Sequence, residues 1–150
     1  MEIDTDVYMI ACAIVPVHIH PRATELLAVL SGKVINHMIP EAGVTNADGS
    51  QRVILTELTA NMMTINPQGA FHTVYNLECE PANIVAAFNS EDPGATLVAN
   101  AFFSYDDDIL ANELNQGISG DQIDAVKQAI AIRTLKVQEC LKRCNITSRH

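Results

Sequence analysis

Three histidines and a glutamate carry the chemistry most readily legible in this chain: His18, His20, Glu25 and His72. In His18-Ile19-His20, residues two apart on an extended strand project to the same side, so both imidazoles can aim at one ion. Glu25 opens the next apolar run, and His72 starts a later one just past the turn sequence Pro67-Gln68-Gly69. In that later run His72, Val74 and Asn76 share one strand face. Three neutral imidazoles and one carboxylate form a borderline to hard donor set suited to Mn, Fe or Zn, and the lack of a thiolate among them argues against Cu(I) or an iron-sulfur cluster. Such a set does not fill the coordination shell of an ion that favours octahedral geometry, which leaves room for water, dioxygen or a chelating substrate.

Donors so far apart in sequence need a sheet scaffold to bring them together. From Val7 to about Ala101 short apolar runs alternate with turn residues, the pattern of an antiparallel sandwich or barrel. The turns include His20-Pro21-Arg22, Ser31-Gly32, Asn46-Ala47-Asp48-Gly49, Pro67-Gln68-Gly69 and Glu91 to Gly94. Between them the sequence predicts strands at Val7–Val15, Leu26–Leu30, Lys33–Ile39, Arg52–Leu58, Met62–Ile65, His72–Asn76, Asn83–Asn89 and Thr96–Phe102. Leu26, Ala28 and Leu30 alternate with Leu27 and Val29, so both faces of that strand are apolar and both need covering. Met38, Met62, Met63, Phe71, Phe88, Phe102 and Phe103 are expected in the barrel core.

After Tyr105 the period changes from two to about 3.6, which predicts helices. The first starts in Asp106-Asp107-Asp108, whose charges suit the positive end of a helix dipole, and ends near Gly117. Ser119 and Gln122 have capping-box spacing ahead of one long helix with an apolar stripe of Ile123, Val126, Ile130, Val137 and Leu141. The expected organisation is one domain, with a β-barrel at 1–104 and a helical extension of the same domain at 105–150.

Composition narrows the partners. The chain has 150 residues, 48% of them hydrophobic and 18% charged, and no apolar stretch approaches the length of a membrane span. Its net charge of −9 opposes binding to a nucleic-acid backbone or an anionic membrane surface. Cys12 and Cys79 sit in apolar runs and read as buried thiols, while Cys140 and Cys144 lie one helical turn apart, which disfavours a mutual disulfide and leaves either open to pair elsewhere. Arg22 reads as one half of a structural ion pair, and His37 and His150 receive no role.

The two elements that carry the donors resemble the paired motifs of the cupin superfamily, His-x-His-x4-Glu-x6-Gly and Pro-x-Gly-x2-His-x3-Asn, with every fixed position filled from His18 to Gly32 and from Pro67 to Asn76. Within it, His18 to Glu25 and Phe88-Asn89-Ser90-Glu91-Asp92-Pro93-Gly94 are similar to germins and spherulins. The resemblance implies a jelly-roll β-barrel with C-terminal α-helices and one divalent metal per chain, held by His18, His20, Glu25 and His72. Manganese is the expected metal, with iron or zinc as alternatives. It also implies a homo-oligomer and a secreted mature protein, although Met1 to Val7 carries three acids and no Lys or Arg and so lacks the positive start of a secretory signal. Two family glycines are replaced, by Cys12 and Asn61.

The resemblance implies a metal-dependent oxidoreductase acting on a small molecule or an oxygen species, of superoxide dismutase type. Oxalate oxidation is disfavoured, because germins that perform it carry an Asn just ahead of the first metal-binding His and none occurs between Met1 and His18. The competing readings are a Lewis-acid isomerase, cyclase or lyase, and a non-catalytic binding or storage protein.

Overall fold

The computed structural model describes residues 2–130 and 135–147, with side chains for 7–130 and 136–147. Among the described residues eleven strands and four helices follow in order: β1 (Glu2–Met9), β2 (Ala13–Ile14), β3 (His18–Ile19), β4 (Glu25–Ser31), β5 (Lys33–Ile39), β6 (Ile54–Thr59), β7 (Met63–Asn66), β8 (Phe71–Tyr75), β9 (Ala82–Phe88), β10 (Thr96–Leu97), α1 (Val98–Phe102), α2 (Asp107–Glu113), α3 (Asp121–Ala129), β11 (Leu135–Lys136) and α4 (Gln138–Arg143). They form two antiparallel sheets. The first runs β1-β9-β4-β7. In the second, β8 pairs on one side with β5, which carries β6, and on the other with β2 and β3, which carry β11 and β10.

Strand alternation decides what lies between the sheets. Leu27 and Val29 of β4, Ile84 of β9, Val34 of β5, Leu58 of β6 and Val74 of β8 are buried together with Met9, Ala13 and Ala82. Three of the expected core residues lie outside, Met63 and Phe71 by the same alternation and Met62 in the turn ahead of β7. Met62, Met63 and Phe71 are 45%, 61% and 41% exposed, whereas Met38 and Phe88 are buried as expected. Met63 faces outward because it pairs with Ala28, an outer-face residue of β4. Phe102 and Phe103 pack instead against a helical cluster of Leu110, Ala111 and Ile123.

Left-handed backbone at Gly32, Cys12 and Asn61 shapes turns of the two sheets. Gly32 (φ 80°) joins β4 to β5 with no space for a side chain, since an added Cβ would lie 2.8 Å from the Ala82 Cα and the Pro81 carbonyl oxygen. Cys12 and Asn61, which replace the family glycines, keep the left-handed conformation at φ 60° and 68°. Asn tolerates it locally, and Cys12 is held in it by its bonds to the rest of the fold.

The cysteines and the C-terminal segment differ from the sequence expectation. Cys12 is bonded to Cys140 and Cys79 to Cys144, so neither Cys12 nor Cys79 is a free buried thiol. Their pairing depends on the chain returning from far away, which local apolar patterning does not report. The expected long helix is two helices with a strand between them. Ile130 is extended and ends α3, and Leu135–Lys136 pairs with β2. Residues 131–134 of the expected helix lie outside the described residues. The predicted strand at Val7–Val15 is likewise interrupted, at the Cys12 turn, and Thr96–Phe102 turns helical at Val98. One arm of the expected capping box forms, with the Ser119 N–H donating to Gln122 Oε1.

Candidate metal centre

The sheets bring His18, His20, Glu25 and His72 to one end of the barrel interior. Antiparallel pairing places His18 of β3 directly across from His72 of β8, with ring centroids 4.2 Å apart. His20, just beyond β3, lies 5.0 Å from the His18 ring and 5.3 Å from the His72 ring. One nitrogen from each of the three imidazoles falls within 4.8 Å of the other two. Glu25 enters from the opposite sheet, and its Oε2 lies 3.0 Å from His72 Nε2. His20, Glu25 and His72 are buried, and His18 is half-buried on the solvent side.

Backbone carbonyls set the orientation of all three rings. The Nδ1 atoms of His18, His20 and His72 lie 2.9, 2.6 and 2.9 Å from the carbonyl oxygens of Pro16, Gly94 and Ala70. A carbonyl can only accept, so each Nδ1 donates its proton and each neutral ring presents its Nε2 lone pair to the interior. His72 Nε2 is buried without a hydrogen-bond partner. In this tautomer its lone pair faces a carboxylate oxygen at 3.0 Å, two acceptors that repel unless a cation, a proton or a metal ion, lies between them. The donor set therefore suits a divalent metal on its own chemistry.

Electrostatics favour a neutral His18 and an ionised Glu25. Burial, with the charges of His72 and His20, lowers the His18 pKa from its ordinary 6.5, against smaller upward contributions from the Pro16 carbonyl and Glu25. Burial alone would raise the Glu25 carboxyl. With a proton on His72 Nε2, the cation that fills the gap when no metal does, the hydrogen bonds of His72 and Asn66 and the charges of His72 and His20 outweigh burial and hold Glu25 below its ordinary 4.5.

Two residues around the donors escaped the sequence reading. Asn66 Nδ2 donates to Glu25 Oε2 at 2.9 Å and to Asn36 Oδ1 at 3.2 Å, while Asn36 Nδ2 donates to Asn66 Oδ1 at 2.9 Å. Both amides are fully buried and fix the carboxylate from behind. The available signal was Asn36 at an inward position of β5, between Val34 and Met38. Asn76, last of the second motif, closes the β8–β9 turn, accepting from the Glu78 N–H and donating to the Glu80 carbonyl.

Phe88 packs edge-on against His20 at 4.6 Å. Arg22 pairs with Asp92 at 2.6 Å, and the Arg22 N–H bonds the Pro93 carbonyl, which secures the loop whose Gly94 carbonyl orients His20. His37 lies across from Thr73 on the face of β5 opposite Asn36, and His150 lies outside the described residues.

Residues 5–122 match the cupin family. The chain is a cupin. This cupin is 39% identical to spherulin-1A of Physarum polycephalum over 137 residues, covering 91% of the chain and 53% of the relative. It is 34% identical to germin-like protein 4-1 of Oryza sativa subsp. japonica, covering 77% of the chain and 45% of the relative. The cupin thus spans about half the length of these curated relatives. Among solved structures it superposes on an oxalate oxidase with a TM-score of 0.72 at 24% identity, covering 84% of this chain and 61% of that one. It also superposes on oxalate decarboxylase of Bacillus subtilis with a TM-score of 0.70 at 18% identity, covering 89% and 32%. At these identities the structural likeness establishes the fold, and the cupin is of germin and spherulin type by its sequence relatives.

Proposed function

We propose that His18, His20, Glu25 and His72 hold one divalent metal ion, manganese by preference, and that the protein is a metal-dependent oxidoreductase acting on a small molecule or an oxygen species. The observation that carries this is the gathering of the three imidazoles within 4.8 Å of one another, each fixed by an Nδ1 hydrogen bond to a backbone carbonyl, with the Glu25 carboxylate 3.0 Å from His72 Nε2. The choice of manganese draws on the structural neighbours, one of them described with Mn(II) centres in oxalate decarboxylase. When bound, a redox-active ion of this kind supplies one-electron exchange with an oxygen species or polarises a bound oxygen atom.

The chain's own residues supply placement. Half-buried His18 marks the side from which a small reactant enters, while Phe88 and the barrel core exclude bulk water behind His20. The nearby amides, Asn36 and Asn66, are engaged by each other and by Glu25, and no Asn lies between Met1 and His18. That arrangement favours an oxygen species over oxalate as the reactant. A Lewis-acid isomerase or lyase is the second reading, supported by a donor set that also suits zinc.

The two disulfides suit an oxidising compartment, in line with a secreted protein. Among the described residues no helix is long and apolar enough to cross a membrane. A homo-oligomer is proposed on the outer face of the first sheet, where Leu30, Met63 and Ile65 are more than half exposed beside Leu26 and Ala28.

The test is reconstitution with Mn, Fe or Zn, followed by assays of superoxide and oxalate consumption. Superoxide removal with Mn or Fe and none with Zn supports the oxidoreductase. Oxalate turnover would overturn the choice of reactant, and no redox activity with any metal would overturn the reaction class.

A further inference from the structure

Four sulfurs gather where α4 docks on the barrel, remote in function from the histidine centre. Their two disulfides differ in access. Cys12 and Cys140 are sealed at 0% and 2% exposure, whereas Cys79 is exposed in the β8–β9 turn and Cys144 is half-buried. The disulfides also touch. Cys144 Sγ lies 3.8 Å from Cys12 Sγ and 4.0 Å from Cys140 Sγ, so one sulfur of the outer bond contacts both sulfurs of the inner bond. The Arg143 guanidinium lies 3.8 Å from Cys140 Sγ.

We propose that this cluster is a thiol-exchange site, at which a small dithiol reductant attacks the exposed Cys79 sulfur and the electron pair passes inward to the buried Cys12–Cys140 bond. In the first step a reductant thiolate bonds to Cys79 Sγ, the Cys79–Cys144 bond breaks, and Cys144 leaves as a thiolate. In the second, the Cys144 thiolate attacks Cys12 Sγ, a Cys12–Cys144 bond forms, and Cys140 departs with the electron pair of the broken Cys12–Cys140 bond. The second thiol of the reductant then attacks its own sulfur on Cys79 and releases Cys79 reduced. The reductant leaves as a disulfide, oxidised by two electrons. Cys79 and Cys140 gain those electrons and end as thiols, and one protein disulfide remains in a new place.

Attack on Cys12 is favoured over attack on Cys140 for three reasons. The approach is shorter, the departing Cys140 thiolate is met by the Arg143 cation, and a Cys140–Cys144 bond would have to join residues four apart on one helix. The exchange keeps α4 tied to Cys12 but releases the β8–β9 turn, which follows the strand that carries His72. None of it depends on the metal reading.

The test treats the native protein with one equivalent of dithiothreitol, quenches with an alkylating agent, and maps the peptides without further reduction. The expected product is a Cys12–Cys144 linked peptide, with Cys79 and Cys140 alkylated. Alkylation confined to Cys79 and Cys144, with Cys12–Cys140 intact, would overturn the proposal. A Cys79→Ser variant starts the second step without any reductant. It should show alkylation shared between Cys140 and Cys144, and alkylation at Cys144 alone would again overturn it.

Discussion

His72 Nε2 and Glu25 Oε2 meet at 3.0 Å across the barrel, the first carried by β8 of one sheet and the second by β4 of the other. Neither strand holds the pair by itself. The donors therefore converge only once the sheets have packed, so a cation bound between them stabilises the folded chain over the unfolded one. The same packing explains why Glu25 stays ionised while buried, since His72 and Asn66 supply the partners that water would otherwise provide.

Asn66 is the residue whose loss separates orientation from ligation. Asn66→Ala removes the hydrogen bond to Glu25 Oε2 and leaves the Asn36 side chain short of a partner. Metal affinity measured by competition with a chelator should fall by about 10–100-fold, with one ion per chain still bound at saturation. Stability of the metal-free protein should fall by about 1–3 kcal/mol. Unchanged affinity would remove Asn66 from the centre.

Acidification should weaken the metal-free fold in two stages. His18 has its pKa lowered by burial, so below its ordinary 6.5 the unfolded chain takes up a proton that the folded chain refuses, and stability falls with pH until the folded group also protonates. Glu25 is held below 4.5, and its contribution, complete above that value, is lost as pH falls through its folded pKa. Both effects have the same sign. Denaturant titrations between neutral pH and pH 4 check this, and a stability that rises on acidification through this range would contradict it.

Gly32→Ala should be costly although the site is a surface turn. The residue sits at φ 80°, and the new Cβ would lie 2.8 Å from backbone atoms of Pro81 and Ala82. The conformation alone costs about 1–3 kcal/mol, and the overlap adds to it. Asn61→Gly, at φ 68°, should by contrast be tolerated in the same thermal melt.

The outer face of the first sheet predicts the assembly state. Met63→Glu places a charge among Leu26, Ala28 and Ile65 without touching the barrel interior. Sedimentation should show an oligomer for the parent and a smaller species for the variant, both with the same circular dichroism. A monomeric parent would leave this apolar face without its proposed role.

The legible parts of the molecule were those encoded locally. Motif spacing and strand parity act over a few residues, which is why His18, His20, Glu25 and His72 stand out in the sequence; the three histidines lie within 4.8 Å of one another and Glu25 lies 3.0 Å from His72. Lys33–Ile39 was placed to the residue because polar turns bracket an alternating run. Asn66 was missed because its importance comes from Glu25 and Asn36, which are 41 and 30 residues away in sequence. The disulfides were missed for the same reason, with Cys12 and Cys140 separated by 128 residues. Met63 was assigned to the wrong face because an apolar side chain at a strand end carries no mark of which sheet surface it joins.

Metal content per chain, counted by elemental mass spectrometry for the parent protein beside His72→Ala and Glu25→Gln, tests the central claim most directly. The account predicts close to one manganese or iron per parent chain and loss of most of it in both variants, with the folded spectra preserved. A parent protein that binds no divalent metal at stoichiometric level, or variants that retain it unchanged, would contradict the account.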